Sequence, residues 1–180
     1  MWGPILFLTF IGLSVAGKVY AYWEREMKWA GAEMYSAITR KPILNVGCGD
    51  QPRYIGDVNL DISQSMLPNF VRYDLRRPLP YKSKAFGAAV AFHVLEHVDN
   101  PKFVLGELNR VADRVYVGLP PFWDPYAYLA PEHKWVYLEG SAIPISGASN
   151  LATLGALLSG VGLTWLATKG SSRKPRRGRK

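Results

Sequence analysis

Short apolar runs recur through the middle of this chain, and each ends in residues that a buried strand would not carry. Ile43 to Val46 leads into Gly47-Cys48-Gly49, Val58 to Ile62 carries Asp61, Phe70 to Tyr73 is followed by Asp74, and Phe86 to Phe92 leads into His93. A further run, Arg114 to Leu119, is stopped by Pro120-Pro121. Runs of this length, rich in β-branched and aromatic residues, predict strands. The uninterrupted "FGAAVAF" suits a strand covered on both faces. Between the last two runs, "PKFVLGELNRVA" puts Pro101 at a helix start and repeats Phe103, Leu105, Leu108 and Val111 at helical spacing. The alternation predicts an α/β chain with a doubly wound, mostly parallel sheet and helices on both faces. Ligands of such sheets sit beyond the carboxyl ends of the strands, where all four polar groups fall.

A glycine pair after a strand serves a plain turn as readily as a ligand. The carboxylates make the difference. If the ligand is an adenosine derivative, glycines let the backbone approach and expose N–H groups to a carboxylate. A carboxylate ending the second strand accepts both ribose hydroxyls, and one after the third strand accepts the adenine amine.

"ILNVGCGD", "VNLDI", "RYDLRRPLPY", "FGAAVAFHVLEHVDNP" and "ELNRVADRVYVGLP" together resemble the successive motifs of the class I S-adenosylmethionine-dependent methyltransferases, the type 11 group in particular. The resemblance covers about Pro42 to Pro120, more loosely Asn150 to Ala167, and implies a Rossmann-like methyltransferase fold with S-adenosylmethionine as cofactor. It implies that Gly47, Cys48 and Gly49 approach the methionine moiety, Asp61 with Ile62 the ribose, and Asp74 with Leu75 the adenine. Phe92 and His93 would line the floor near the sulfonium. Asn45 stands where the family carries an acid, which weakens a contact to the cofactor's amino group, and Gln51 replaces a third glycine. The first crossover is too short for a full helix, and the family's final antiparallel strand has no counterpart, so the domain reads as a minimal variant.

Methyl transfer from a sulfonium needs positioning and water exclusion first. A base is needed only where the acceptor must lose a proton. His97 and His133 are the candidate catalytic residues, with Glu96 as a third; each also has a plain structural reading. Phe122, Trp123, Tyr126, Tyr128, Trp135 and Tyr137 crowd the segment around His133, and they suit an apolar acceptor pocket or a membrane surface. Cys48 is the only cysteine, so no internal disulfide forms, and no metal is expected.

The ends differ in kind from the middle. "WGPILFLTFIGLSVAG" precedes the first charge, Lys18. With Lys18 snorkelling and the helix running on to Trp23, residues 1–23 are expected to be a transmembrane helix. A signal peptide and a buried core helix are the rivals. Lys18, Arg25, Lys28, Arg40 and Lys41 all follow the apolar run, which places the remainder in the cytoplasm as a single-pass protein. Trp23, Met27, Ala30, Met34 and Ile38 recur at helical spacing, so residues 24–41 are expected to form a juxtamembrane amphipathic helix, either packing on the domain or lying in the membrane interface. The methyltransferase domain is expected over 42–168, with a helix near Asn150 to Leu158 and a strand from Leu163 to Ala167. Residues 169–180 hold seven cations and no acid out of a net charge of +8, and are expected to be a disordered tail that attracts anionic phosphates. The acceptor is expected to be a small or lipid-like molecule brought close by the anchor and the tail. Nucleic acid is the lesser alternative, since no basic stripe crosses the domain. A catalytically inactive cofactor-binding module is the third.

Overall fold

The computed structural model describes residues 3–138 and 141–145. Its frame is a five-stranded parallel sheet in the order β3-β2-β1-β4-β5, formed by β1 (Ile43–Val46), β2 (Val58–Asp61), β3 (Phe70–Arg72), β4 (Phe86–Phe92) and β5 (Ala112–Gly118). Residues Phe86 to Ala91 of β4 are buried, as expected for a strand covered on both faces.

Alternation along β4 divides the core in two. Ala89 and Ala91 face a cluster with Leu44, Val46 and Leu60, closed by helix α2 (Pro101–Val111) through Val104, Leu108 and Val111. The start of α2 is fixed by Asn100, whose Oδ1 accepts from the Phe103 amide at 3.1 Å, with Pro101 in the first turn. Ala88 and Val90 face the opposite way, toward Trp29 and Ala32 of helix α1 (Gly3–Thr39). Each sheet face is therefore covered by one long helix. Neither the β1–β2 nor the β2–β3 nor the β3–β4 connection contains a helix, so the expected regular alternation holds only across β4–α2–β5.

The absent first crossover helix has a substitute. Residues 47–57 run as irregular chain, and Tyr54 packs from it onto Trp29, with ring centroids 5.5 Å apart. Asn59 and Asn45, both buried, tie this segment down: Asn45 Nδ2 donates to Tyr54 O at 2.8 Å, and Asn59 bonds both backbone groups of Gly56.

The N-terminal expectation needs correction. A single helix of 37 residues runs through both the expected transmembrane segment and the expected juxtamembrane helix. Among the described residues, no helix is long and apolar enough to cross a membrane. The physical reason is that charges begin at Lys18, before the apolar run reaches spanning length. From Gly17 onward, α1 also docks on protein. A Cβ at Gly17 would lie 2.7 Å from Asp124 Oδ2, and Tyr20 meets Trp123 edge to face at 5.1 Å.

After β5 come a short helix α3 (Tyr126–Leu129) and an antiparallel hairpin, β6 (Trp135–Leu138) with β7 (Ser141–Pro144). The hairpin was not expected: the sequence reading took the aromatics of this stretch for a pocket lining or a membrane surface. The expected helix near Asn150, the strand from Leu163 and the basic tail lie outside the described residues.

Candidate active site

At the carboxyl edge of the sheet lies a cleft of about 750 Å³, of the size that holds small-molecule ligands. Gly47, Asp61, Ile62, Asp74, Leu75, His93 and His97 of the expected residues line it, joined by Arg76 and Lys134. Asn45, Cys48, Gly49, Phe92 and His133 do not. Asn45 is spent on the Tyr54 carbonyl. Phe92 leans to the α1 side against Tyr54, with centroids 5.6 Å apart. Cys48 is buried, and burial, with the Asp61 charge second, pushes its thiol pKa up.

The glycine turn is built differently from expectation. Gly47 and Cys48 both donate their N–H to Leu60 O, at 2.8 and 3.1 Å, and Gly49 N donates to Asp61 Oδ2 at 2.9 Å. These amides fix the loop on β2 rather than standing free for a ligand carboxylate. What Gly47 contributes is the space of a missing side chain: at φ +65°, a Cβ there would lie 2.2 Å from Val94 Cγ2.

Asp61 accepts from Gly49 N on one oxygen and from Ser63 N, at 2.8 Å, on the other. A carboxylate has about four lone-pair sites, so acceptor capacity remains for ribose hydroxyls. Asp74 is held by Arg76, whose Nε and Nη2 reach Asp74 Oδ2 at 2.9 and 2.6 Å. The hydrogen bonds from Arg76 lower the Asp74 pKa to about 2. Sequence reasoning missed this clamp, although "DLRR" carried the signal.

His93 sits just beyond β4 with φ +55°, a strained backbone for a non-glycine residue, held there by its N–H to Gly118 O at 2.9 Å. Its Nε2 is buried without a partner. The residue also lines a second cavity of about 300 Å³, whose walls include Lys18, Tyr22 and Arg25 of α1 and Tyr126 and His133. The buried Nε of Arg25 likewise has no partner. The α1 residues were not foreseen as site residues, because a membrane reading of the helix sends their side chains elsewhere. Among the crowded aromatics only Tyr126 lines this cavity. Tyr128 packs with Val136, and Trp135 and Tyr137 bond to the Val98 and Leu95 carbonyls. Burial, with the Glu96 charge second, raises the Tyr137 pKa to about 12.

Residues 44–114, from β1 into β5, match a family model described as a methyltransferase domain, the type 11 group. This segment is a class I S-adenosylmethionine-dependent methyltransferase domain. No curated protein matches the chain. The cofactor of this methyltransferase domain is S-adenosylmethionine, and the cleft fits it: Asp61 and Asp74 stand at neighbouring strand ends, and Gly47 leaves room.

Proposed function

We propose that this methyltransferase transfers the methyl group to a small or lipid-like acceptor bound in the second cavity, between α1 and the segment Pro120 to His133. One observation carries the reading: His93 lines both cavities, so the two ligands would meet at the end of β4. The cofactor supplies an activated methyl group on a sulfonium. The chain's own residues then have limited tasks. Asp61 and Asp74 orient the nucleoside, the strained His93 turn holds the passage between the cavities, and α1 excludes water from the acceptor. Lys18 and Arg25 bring positive charge to the acceptor cavity and favour an acceptor with an anionic group.

The lipid-like choice rests on α1. Phe7, Leu8, Ile11, Val15 and Val19 are exposed along the helix before the cavity wall at Tyr22, itself exposed. We read this exposed apolar stretch as meeting a membrane surface. The seven tail cations would strengthen attraction to an anionic leaflet, and we read the domain as facing the cytoplasm, where the cofactor is available.

Calorimetry tests the cofactor half. Asp61→Ala removes the charged acceptor of the ribose hydroxyls, a loss of about 1.5–3 kcal/mol, or roughly tenfold to a hundredfold in affinity. An unchanged dissociation constant in a folded variant would rule out this nucleoside site. Methyl transfer from labelled cofactor into a lipid extract, against none into a water-soluble metabolite extract, tests the acceptor half. The reverse pattern removes the lipid reading.

A further inference from the structure

We propose that Glu96, His97 and His133 bind one divalent transition-metal ion in the wall between the two cavities. Each offers one donor atom, and these atoms lie within 4.8 Å of one another. The sequence reading expected no metal because Cys48 is the only cysteine. The hairpin fold brings His133 to the site.

Glu96 makes the strongest case. Its side chain is 0% exposed, and among the described residues neither oxygen has a hydrogen bond. His93 Nδ1 lies 3.2 Å from Oε1, without hydrogen-bond geometry. A buried carboxylate with no donor is costly, and a cation between it and the imidazoles removes that cost.

The histidines are oriented for the task. His97 Nδ1 lies 3.3 Å from Glu132 O, and His133 Nδ1 lies 2.8 Å from Ala127 O. A carbonyl only accepts, so each Nδ1 carries a hydrogen, and Nε2 is the ring nitrogen that can take a metal. Metal-bound imidazoles are held in this way, by a backbone carbonyl on the other ring nitrogen. Edge-to-face packing of the two rings, with centroids 4.9 Å apart, explains their contact but supplies no donor to Glu96.

The ligands are also fixed relative to each other. Lys134 N donates to Glu96 O at 2.7 Å, Trp135 Nε1 to Val98 O at 2.8 Å, and the Tyr137 hydroxyl to Leu95 O at 3.2 Å. These bonds pin residues 134–137 along the turn 95–98. Two imidazoles and one carboxylate favour Zn²⁺, Mn²⁺, Fe²⁺ or Co²⁺ over Mg²⁺ or Ca²⁺, which prefer oxygen alone.

Three protein ligands leave coordination positions open. His97 lines the cofactor cleft and His133 the second cavity, so an open position faces the boundary. Its use rests on the methyl-transfer reading: an acceptor hydroxyl bound there loses its proton to solvent more readily. The resulting oxygen forms a C–O bond to the methyl carbon while the C–S bond breaks and its electron pair stays on sulfur.

The test uses the full chain, stripped with a chelator and titrated separately with Zn²⁺ and Mn²⁺ by calorimetry. One ion should bind per chain. Glu96→Gln, His97→Ala and His133→Ala should each weaken binding by at least about tenfold. If a substitution prevents folding, the Co²⁺-loaded wild-type chain still decides: it should show visible absorption of a low-symmetry nitrogen and oxygen site. No stoichiometric binding by the wild-type chain, or unchanged affinity in folded His97→Ala/His133→Ala, would overturn the site. Cofactor titration of the stripped chain is independent. Metal binding without cofactor binding would sink the methyl-transfer reading alone.

Discussion

The Tyr54 hydroxyl donates to Glu26 Oε1 at 2.6 Å, joining the irregular chain between β1 and β2 to the middle of α1. Arg53 holds the same carboxylate with two bonds, at 2.6 and 2.9 Å. The Arg53 and Tyr54 hydrogen bonds, in that order, lower the Glu26 pKa. Above this polar clasp, the Tyr54 ring stacks against Trp29 and Phe92. An N-terminal helix thus covers the sheet face that the shortened first crossover leaves bare. The helix that closes this face also supplies Lys18, Tyr22 and Arg25 to the second cavity, so one element both completes the fold and lines the proposed acceptor site.

Truncating Tyr54 tests that coupling. Tyr54→Ala removes a buried ring between helix and sheet and should cost about 3–5 kcal/mol, the scale for large aromatic truncations. Tyr54→Phe keeps the ring and should cost about 1 kcal/mol. Urea denaturation checks both. Equal losses would show that the hydroxyl, not the ring, holds α1 to the sheet.

The five parallel strands were legible because four are apolar runs leading into glycine, carboxylate or histidine, and the fifth is stopped by Pro120-Pro121. Positions of Asp61, Asp74 and His93 followed from strand direction alone. The destination of α1 was not legible. An apolar run interrupted at Lys18 looks the same whether its face meets lipid or protein, and only the packing of Gly17, Tyr20 and Trp29 settles that for the second half of the helix. The hairpin was missed for another reason: "WVYLEGSAIP" holds a glycine between two apolar runs, but the density of aromatics drew the reading toward a pocket lining. The amides of the glycine turn were assigned to a ligand because nothing in sequence shows that Leu60 O already takes two of them.

Arg76→Ala should return Asp74 to ordinary carboxylate behaviour. Its pKa, about 2 beside the guanidinium, should rise toward 3.8, read from the side-chain carbon resonance in an NMR titration. The sign for stability follows. A folded pKa below the unfolded one stabilises above the unfolded value, and that contribution is lost as pH falls from about 4 to about 2. The variant should therefore lose less stability than wild type across that window. Identical acid profiles would show that the clamp does not persist in solution.

The exposed face of α1 should bind membranes. In the triple variant Leu8→Ser, Ile11→Ser and Val15→Ser, three apolar side chains no longer enter the interface. Each fully buried one contributes about 1.5–3 kcal/mol, so even partial burial predicts at least tenfold weaker binding. Flotation with anionic and neutral vesicles measures it. Wild type should float with both, more strongly with anionic lipid at low salt. Equal flotation of the variant would remove the interfacial role of this face.

Gly47 and Val94 should behave as a coupled pair. Gly47→Ala meets two penalties, a left-handed backbone at φ +65° and a Cβ 2.2 Å from Val94 Cγ2. Gly49→Ala meets only the first, since its φ is +51° and nothing lies within 4 Å of its Cβ. An alanine forced to positive φ costs more than about 1 kcal/mol, and the clash adds to it. Gly47→Ala should therefore lower the melting temperature clearly more than Gly49→Ala. Val94→Ala, which removes the clashing methyl, should cost less stability in the Gly47→Ala background than in wild type. Residues in contact commonly show coupling of about 0.5–3 kcal/mol. Cofactor affinity should follow the same order, because Gly47 and Val94 line the cleft and Gly49 does not. Additive losses, with Gly47→Ala no worse than Gly49→Ala, would mean that the turn sits farther from Val94 in solution and that the cleft floor is not built on this contact.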